Sequence, residues 1–192
     1  MIAGRFRGRP LKAPRGAMTT RPTSDRVREA CFSMLGELDG MVVLDLFAGT
    51  GALGIEALSR GAERAVFVER DSTALRVLRT NLDSLGLVPA VAEVRAGEAL
   101  AALRAAREAR ETYDLIFVDP PYSRAREIEG ELSARLPAVL GARARVVVES
   151  ERRAPLRLAL AVERERRYGD TVITIHRGGA DSSAAMEGED ER

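Results

Sequence analysis

The sequence predicts an α/β fold built on a doubly wound, mostly parallel sheet, and three observations carry that expectation. Short apolar runs recur from Met41 onward, and each is followed by a stretch of helical periodicity. The runs are apolar nearly throughout rather than alternating, as expected of parallel strands covered by helices on both faces. The first run flows into a glycine-rich turn that opens a helix, which is where such sheets bind ligands. A chain of 192 residues, 45% of them hydrophobic, suits one domain with a short appendage.

Taken in order, residues 1–22 carry Arg5, Arg7, Arg9, Lys12, Arg15 and Arg21 and no acid. Gly4, Gly8, Pro10, Pro14, Gly16 and Pro22 make this basic arm extended or a short hairpin. Ser24 caps a helix over 25–38, whose apolar face holds Val27, Ala30, Cys31, Met34, Leu35 and Leu38. Strands are expected at Met41–Leu46, Ala65–Glu69, Val91–Arg95, Asp114–Val118 and Ala144–Glu149. Helices over about 52–60, 71–85, 97–110 and 124–137 separate them. Two late strands, 160–168 and 171–176, meet at Tyr168-Gly169-Asp170-Thr171 and form an antiparallel C-terminal hairpin, which completes a seven-stranded sheet. The main domain then covers 23–177. Residues 178–192, with Asp181, Glu187, Glu189, Asp190 and Glu191, read as a disordered acidic tail.

Composition removes several function classes. Cys31 is the only cysteine and His176 the only histidine, so no disulfide framework, metal site or Ser-His-Asp triad is expected. Cys31 lies on an apolar helix face and reads as a core residue, and His176, in the last strand, as structural. No apolar run reaches the length of about 18 residues that a membrane helix needs, so a soluble, cytoplasmic monomer is expected. The net charge is only +1, but the basic arm points to a polyanionic partner, and Arg5, Arg7, Arg9, Lys12 and Arg21 are its candidate contacts.

The glycine turn is Asp45-Leu46-Phe47-Ala48-Gly49-Thr50-Gly51-Ala52-Leu53-Gly54. Its glycines fit G-x-G-x-x-G, and Glu69, at the end of the next strand, is placed to hold ribose hydroxyls. That pattern serves a nicotinamide cofactor or S-adenosylmethionine alike. Asp45, inside the strand, suits the cationic methionine end of the latter. No second glycine fingerprint exists for a second nucleotide, and no histidine is placed for hydride chemistry. Phe47 and Arg70 are further cofactor candidates, and Glu98 could meet the adenine amino group or serve only as a helix-dipole partner.

The fourth strand ends in Asp119-Pro120-Pro121-Tyr122. Two prolines fix φ and remove amide donors, so the turn is stiff and presents acceptors. The exocyclic nitrogen of a base is a poor nucleophile because its lone pair is delocalised. Acceptors on both of its hydrogens, here the Asp119 carboxylate and the Pro120 carbonyl, favour a pyramidal nitrogen positioned to attack a methyl group. Tyr122 can stack the flipped base, with Pro121 beside it on the substrate side.

With these motifs placed, the chain resembles the bacterial RsmD family, which methylates guanine N2 in small-subunit (16S) ribosomal RNA. The resemblance spans about residues 2–177. It rests on Ile2-Ala3-Gly4 with Arg7-Gly8-Arg9, on the run from Arg21-Pro22-Thr23-Ser24 to Glu29, on Leu44 through Ala62, and on Asp119–Tyr122. It implies a Rossmann-like class I methyltransferase fold, S-adenosyl-L-methionine as cofactor and the small ribosomal subunit as partner. It also implies that the basic arm grips RNA and that Arg21-Pro22-Thr23 folds over the pocket. Glu98 stands where an aspartate or asparagine is more familiar in the family. Three alternatives stay open: a DNA adenine-N6 methyltransferase, a nicotinamide-dependent oxidoreductase, and a non-catalytic RNA-binding assembly factor. The first would usually need a separate target-recognition domain. Cofactor competition distinguishes the second, and turnover the third.

Overall fold

The computed structural model describes residues 1–13 and 25–178, the side chains of Tyr122 and Ser123 excepted. Arg15, Arg21, the Ser24 cap and the acidic residues of the expected tail lie outside the described residues. A 3-10 turn at Gly4–Phe6 precedes α1 (Asp25–Leu35), β1 (Val42–Asp45), α2 (Ala52–Ser59), β2 (Arg64–Glu69) and α3 (Ser72–Ser84). There follow β3 (Ala92–Ala96), α4 (Ala99–Glu108), β4 (Tyr113–Val118) and α5 (Tyr122–Arg135), the last continuing into a 3-10 turn at Leu136–Val139. The chain closes with β5 (Leu140–Glu151), β6 (Val162–Tyr168) and β7 (Thr171–Arg177).

The strands form one seven-stranded sheet in the order β3-β2-β1-β4-β5-β7-β6. The first five are parallel, and β7 runs antiparallel to β5 on one side and β6 on the other. This is the doubly wound α/β sheet with an antiparallel C-terminal hairpin that the sequence predicts. The chain order reverses between β1 and β4, so the crevice at their carboxyl ends is the expected ligand site.

Local boundaries differ where tertiary context overrides periodicity. The first helix ends at Leu35, not 38, because Gly36 takes φ +70°, a left-handed conformation that halts the helix. Leu38 is still fully buried, but from the following loop. The fifth helix starts at Tyr122, two residues early, because Pro121 (φ −53°) caps it directly. The fifth strand begins at Leu140 and runs to Glu151, since β4 and β7 both offer it hydrogen-bonding partners.

The two faces of the sheet bury different side chains, as strand alternation requires. One holds Val43, Phe67, Leu115, Phe117 and Val147 beneath α1, α2 and α3 through Phe32, Ile55 and Leu78. The other holds Leu44, Val66, Ile116, Val118 and Val148 beneath α4 and α5 through Leu103, Ile128 and Leu132. Among the described residues no helix is long and apolar enough to cross a membrane.

The first residues make one 3-10 turn and fold back, with Gly8 N–H donating to Met1 O at 3.0 Å. They are fastened to α2. Glu56, fully buried, accepts hydrogen bonds from the amides of Ile2 (2.9 Å) and Ala3 (3.0 Å) and from Arg60 Nε (2.8 Å). Ser59 Oγ accepts from Phe6 N–H and donates to Ala3 O, and the Phe6 ring enters the core. Glu56→Ala should therefore cost about 3 kcal/mol, because the amides that Glu56 satisfies lose a charged acceptor and Arg60 its partner. Urea denaturation measures that loss, and limited proteolysis of residues 1–13 should quicken in step. Unchanged stability would mean that these bonds contribute nothing net.

Candidate active site

Four carboxylates stand at the carboxyl ends of neighbouring strands, all on the face covered by α1, α2 and α3. Glu69 follows Phe67 by two residues, Asp45 follows Val43, Asp119 follows Phe117 and Glu149 follows Val147, and each earlier residue lies in the core of that face. Because side chains alternate along a strand, the acids share that face. Along the sheet they run in the order β2, β1, β4, β5.

Asp45 is buried, and its Oδ2 accepts a hydrogen bond from Gly54 N–H at 3.0 Å. Burial, with a smaller contribution from the charge of Glu69, pushes its carboxyl up to about 7. The Gly54 and Phe47 amides hold it back from rising further. Glu69 meets the same loop from the other side. Its Oε2 accepts from Gly49 N–H at 2.8 Å, and its Oε1 from the amides of Arg70 (2.8 Å) and Asp71 (2.7 Å). The glycine turn thus hangs between two acids.

The glycines are demanded for different reasons. Gly49 and Gly51 have φ of +54° and +86°, so other residues would be strained there. A Cβ on Gly49 would meet nothing within 4 Å, so the loop is open above it. A Cβ on Gly54 would lie 2.3 Å from the Phe67 ring, so this glycine sets the packing of α2 on the sheet. Asn81 of α3 ties the loop to the arm: its Nδ2 donates to Thr50 O at 3.0 Å and Lys12 O at 3.2 Å, and its Oδ1 accepts from Lys12 N–H at 2.8 Å. Open space above Gly49 and a row of acids below it suit a ligand with a cationic end.

Asp119 leaves the end of β4 beside this row and keeps some exposure to the crevice. Burial raises its carboxyl well above the usual carboxylate range, helped by the charges of Glu149 and then Asp45. Pro120 is buried and Pro121 exposed. Arg124 N–H takes the Pro121 carbonyl at 2.8 Å, and the Pro120 carbonyl stands one residue ahead of α5. The Tyr122 backbone begins that helix, and its side chain lies outside the described residues.

The remaining candidates fall into two groups. Phe47 is half-buried at the loop's start. Glu98, the N-cap of α4, does not bond its own helix; it joins Arg70 (3.0 Å) to Arg124 (3.1 Å), which holds its carboxyl below the usual range. The ion triad at the mouth of the crevice draws together two cofactor candidates and an arginine of α5. Arg5, Arg7, Arg9 and Lys12 are all exposed on the arm, Arg5 with its guanidinium 4.4 Å from the Phe6 ring. Burial pushes the Cys31 thiol up to about 12, so it is a neutral packing group. His176 is buried, with Nδ1 at 3.0 Å from Leu160 O, far from the glycine loop in the sheet.

Sequence reasoning missed Glu149 and Asn81. Glu149 is buried in β5 and lines a small cavity together with Asp119, Cys31, Leu53, Phe117 and Ile173. Its signal was available: an acid ends the apolar run Val146–Val148, just as Asp45 and Asp119 end theirs.

A carboxyl raised on folding contributes stability while both folded and unfolded forms hold the proton. That contribution is lost as pH climbs from the unfolded value of 3.8 through the folded value of about 7. The protein should thus lose stability between pH 4 and 7, and Asp45→Asn should flatten the decline. Denaturation midpoints across that range test this; an equally steep decline in the variant would refute it.

Comparison with known proteins places this geometry in a family. A family model described as conserved hypothetical protein 95 matches residues 1–177. YlbH of Bacillus subtilis (strain 168), whose name carries a provisional rRNA methyltransferase assignment, is 40% identical over 186 residues, 92% of this chain and 97% of that one. Ribosomal RNA small subunit methyltransferase D of Escherichia coli (strain K12) is 38% identical over 129 residues, 65% of this chain and 60% of that one. The solved structure of the Escherichia coli protein yhhF, described provisionally as a methyltransferase, superposes with a TM-score of 0.76 at 34% identity, covering 94% of this chain and 97% of that one.

Proposed function

The chain belongs to the family described as conserved hypothetical protein 95, and from that premise we propose that it transfers a methyl group from S-adenosylmethionine to the exocyclic N2 of a guanine in small-subunit ribosomal RNA. The observation that carries this is the placement of Asp119-Pro120-Pro121 at the carboxyl end of β4, one strand from the glycine loop and on the face of Asp45. Relatives named as rRNA methyltransferases supply the substrate class.

The residues present fit that cofactor. Asp45 and Glu69 put negative charge where its ammonium and sulfonium would lie, and the open space over Gly49 admits it. When bound, the cofactor supplies a methyl group on a positively charged sulfur. The chain's part is to hold the acceptor nitrogen: the Asp119 carboxylate and the Pro120 carbonyl take its two hydrogens and leave its lone pair facing that methyl. Tyr122 is assigned the stacking of the base and Pro121 its edge. Glu98, with Arg70, is assigned to the adenine side of the cofactor. Arg5, Arg7, Arg9 and Lys12, with Arg21, are assigned to RNA phosphates.

The test is transfer of labelled methyl groups to small subunits lacking the modification, followed by digestion and identification of the labelled nucleoside, with free RNA and duplex DNA in parallel. N2-methylguanosine is the expected product. Label in DNA adenine would place the chemistry on another substrate, and no transfer anywhere would favour a binding role. Asp119→Ala should reduce turnover at least a thousandfold, on the order of one transition-state hydrogen bond worth about 4 kcal/mol, while calorimetry shows cofactor affinity little changed. Activity within tenfold of the parent would remove Asp119 from the mechanism.

Changing Arg5, Arg7 and Arg9 together to alanine should weaken RNA binding and lower the slope of log affinity against log salt by about one for each phosphate left without its arginine. An unaltered slope would leave the arm without a part in RNA binding.

A further inference from the structure

Asp119 and Glu149 are neighbours by construction. The parallel register of β4 and β5 pairs Val118 with Val148, so the residues that follow stand side by side on strands about 4.8 Å apart. Both point to the face of α1, since Phe117 and Val147, two residues earlier, do. Both line the cavity closed by Cys31 of α1, Leu53 of α2 and Ile173 of β7. Glu149 is 7% exposed. Two carboxyl groups held this close and shielded from water cannot both carry full charge without a large electrostatic cost.

We propose that Glu149 is a positioning residue of the catalytic centre, sharing a proton with Asp119 and so setting the state in which Asp119 accepts the amino proton. The proposal rests on the methyl-transfer reading given above. In the step itself, the amino nitrogen forms a bond to the methyl carbon while the carbon–sulfur bond breaks and its electron pair stays on sulfur as a neutral thioether. The nitrogen, now positively charged, gives one proton to the Asp119–Glu149 pair, which passes it to solvent through the crevice. No oxidant, reductant or metal is needed. A lone aspartate could orient the nitrogen, but beside Glu149 it competes with a second carboxylate for one proton.

The groups facing Asp119 allow this assignment. From β1 comes Asp45, itself acted on by Glu69 of β2, and both are acids. The α1 side presents the Cys31 thiol, held neutral at neutral pH, and α2 presents Arg60, whose charge reaches Cys31 and whose guanidinium lies 4.8 Å from the Phe32 ring. Of these charges, Glu149 is the one that bears most on Asp119.

The experiment has two arms. In methyl transfer to deficient small subunits, the acid limb of kcat/KM should move to lower pH by about one unit or more in Glu149→Gln, because Asp119 then ionises without a like charge beside it. A merely structural role would lower activity in Glu149→Gln and Glu149→Ala and leave the limb in place, and that result overturns the proposal. The second arm needs neither cofactor nor RNA. Carbon-13 carboxyl NMR of the labelled protein, with the Asp119 signal identified by its loss in Asp119→Asn, should show a midpoint that falls in Glu149→Gln and stays raised in Glu149→Asp. An Asp119 midpoint indifferent to Glu149→Gln overturns the proposal as well. Should Glu149→Gln fail to fold, the parent alone decides: Asp119 and Glu149 titrating in two separated steps supports the pair, and titration in one overlapping step refutes it. If the parent transfers no methyl group at all, the functional reading fails, and the NMR arm still judges the pair.

Discussion

Negative charge placed at the carboxyl edge of one sheet face is the constraint on which the rest of this structure depends. Glu69, Asp45, Asp119 and Glu149 end apolar strand runs on four adjacent strands, and three of the strands deliver them into partly or fully dry surroundings. Buried carboxylates either find donors or keep their protons. Asp45 does some of each: Gly54 N–H bonds it, yet its carboxyl still rises to about 7. Glu69 takes three backbone amides. A ligand carrying positive charge would relieve both, which is why this edge suits a cationic cofactor better than a pyrophosphate that brings more negative charge.

The same acids build the glycine loop they serve. Gly49 N–H goes to Glu69 and Gly54 N–H to Asp45, so the turn is held from both ends by side chains that would face a bound cofactor. Asn81 adds a third attachment at Thr50 O and carries it onward to Lys12. The arm is fastened again at Glu56 and Ser59 on the helix that the loop opens. The basic segment assigned to RNA and the loop assigned to cofactor are therefore parts of one hydrogen-bonded unit.

Much of this was legible in the sequence, and the reasons differ by element. The sheet was legible because parallel strands buried on both faces read as apolar runs, and Met41–Leu46 and Asp114–Val118 fall within a residue or so of β1 and β4. Boundaries set by long-range pairing were not: nothing local to Leu140–Arg143 announces a strand, and only β4 and β7 make it one. Asp45 and Asp119 stood out because recognisable turns follow them. Glu149 did not, because its importance comes from the neighbour across the register, and a single chain read residue by residue does not show which strands touch. Glu56 hid for a similar reason, as one acid in an apolar helix whose partners lie more than fifty residues away.

An acidic centre that works on a polyanion poses a further problem, which the distribution of arginine answers. The row of carboxylates repels phosphate, so the RNA backbone must be held away from the crevice while one base enters it. Arg5, Arg7, Arg9 and Lys12 are exposed on the arm, fastened to α2 and α3 rather than inserted among the acids. At the mouth, Arg70 and Arg124 are already neutralised by Glu98 and offer little net attraction. The attraction therefore lies on the rim and the acceptors lie inside. A neutral base swung out of its stack passes between them at less electrostatic cost than a phosphate would, because it brings no charge to the carboxylates. Its amino hydrogens meet groups that can only accept them. Separation of grip from chemistry also explains how a chain with a net charge of +1 can serve an anionic substrate: the field that matters is local, set by which edge carries the arginines and which the acids.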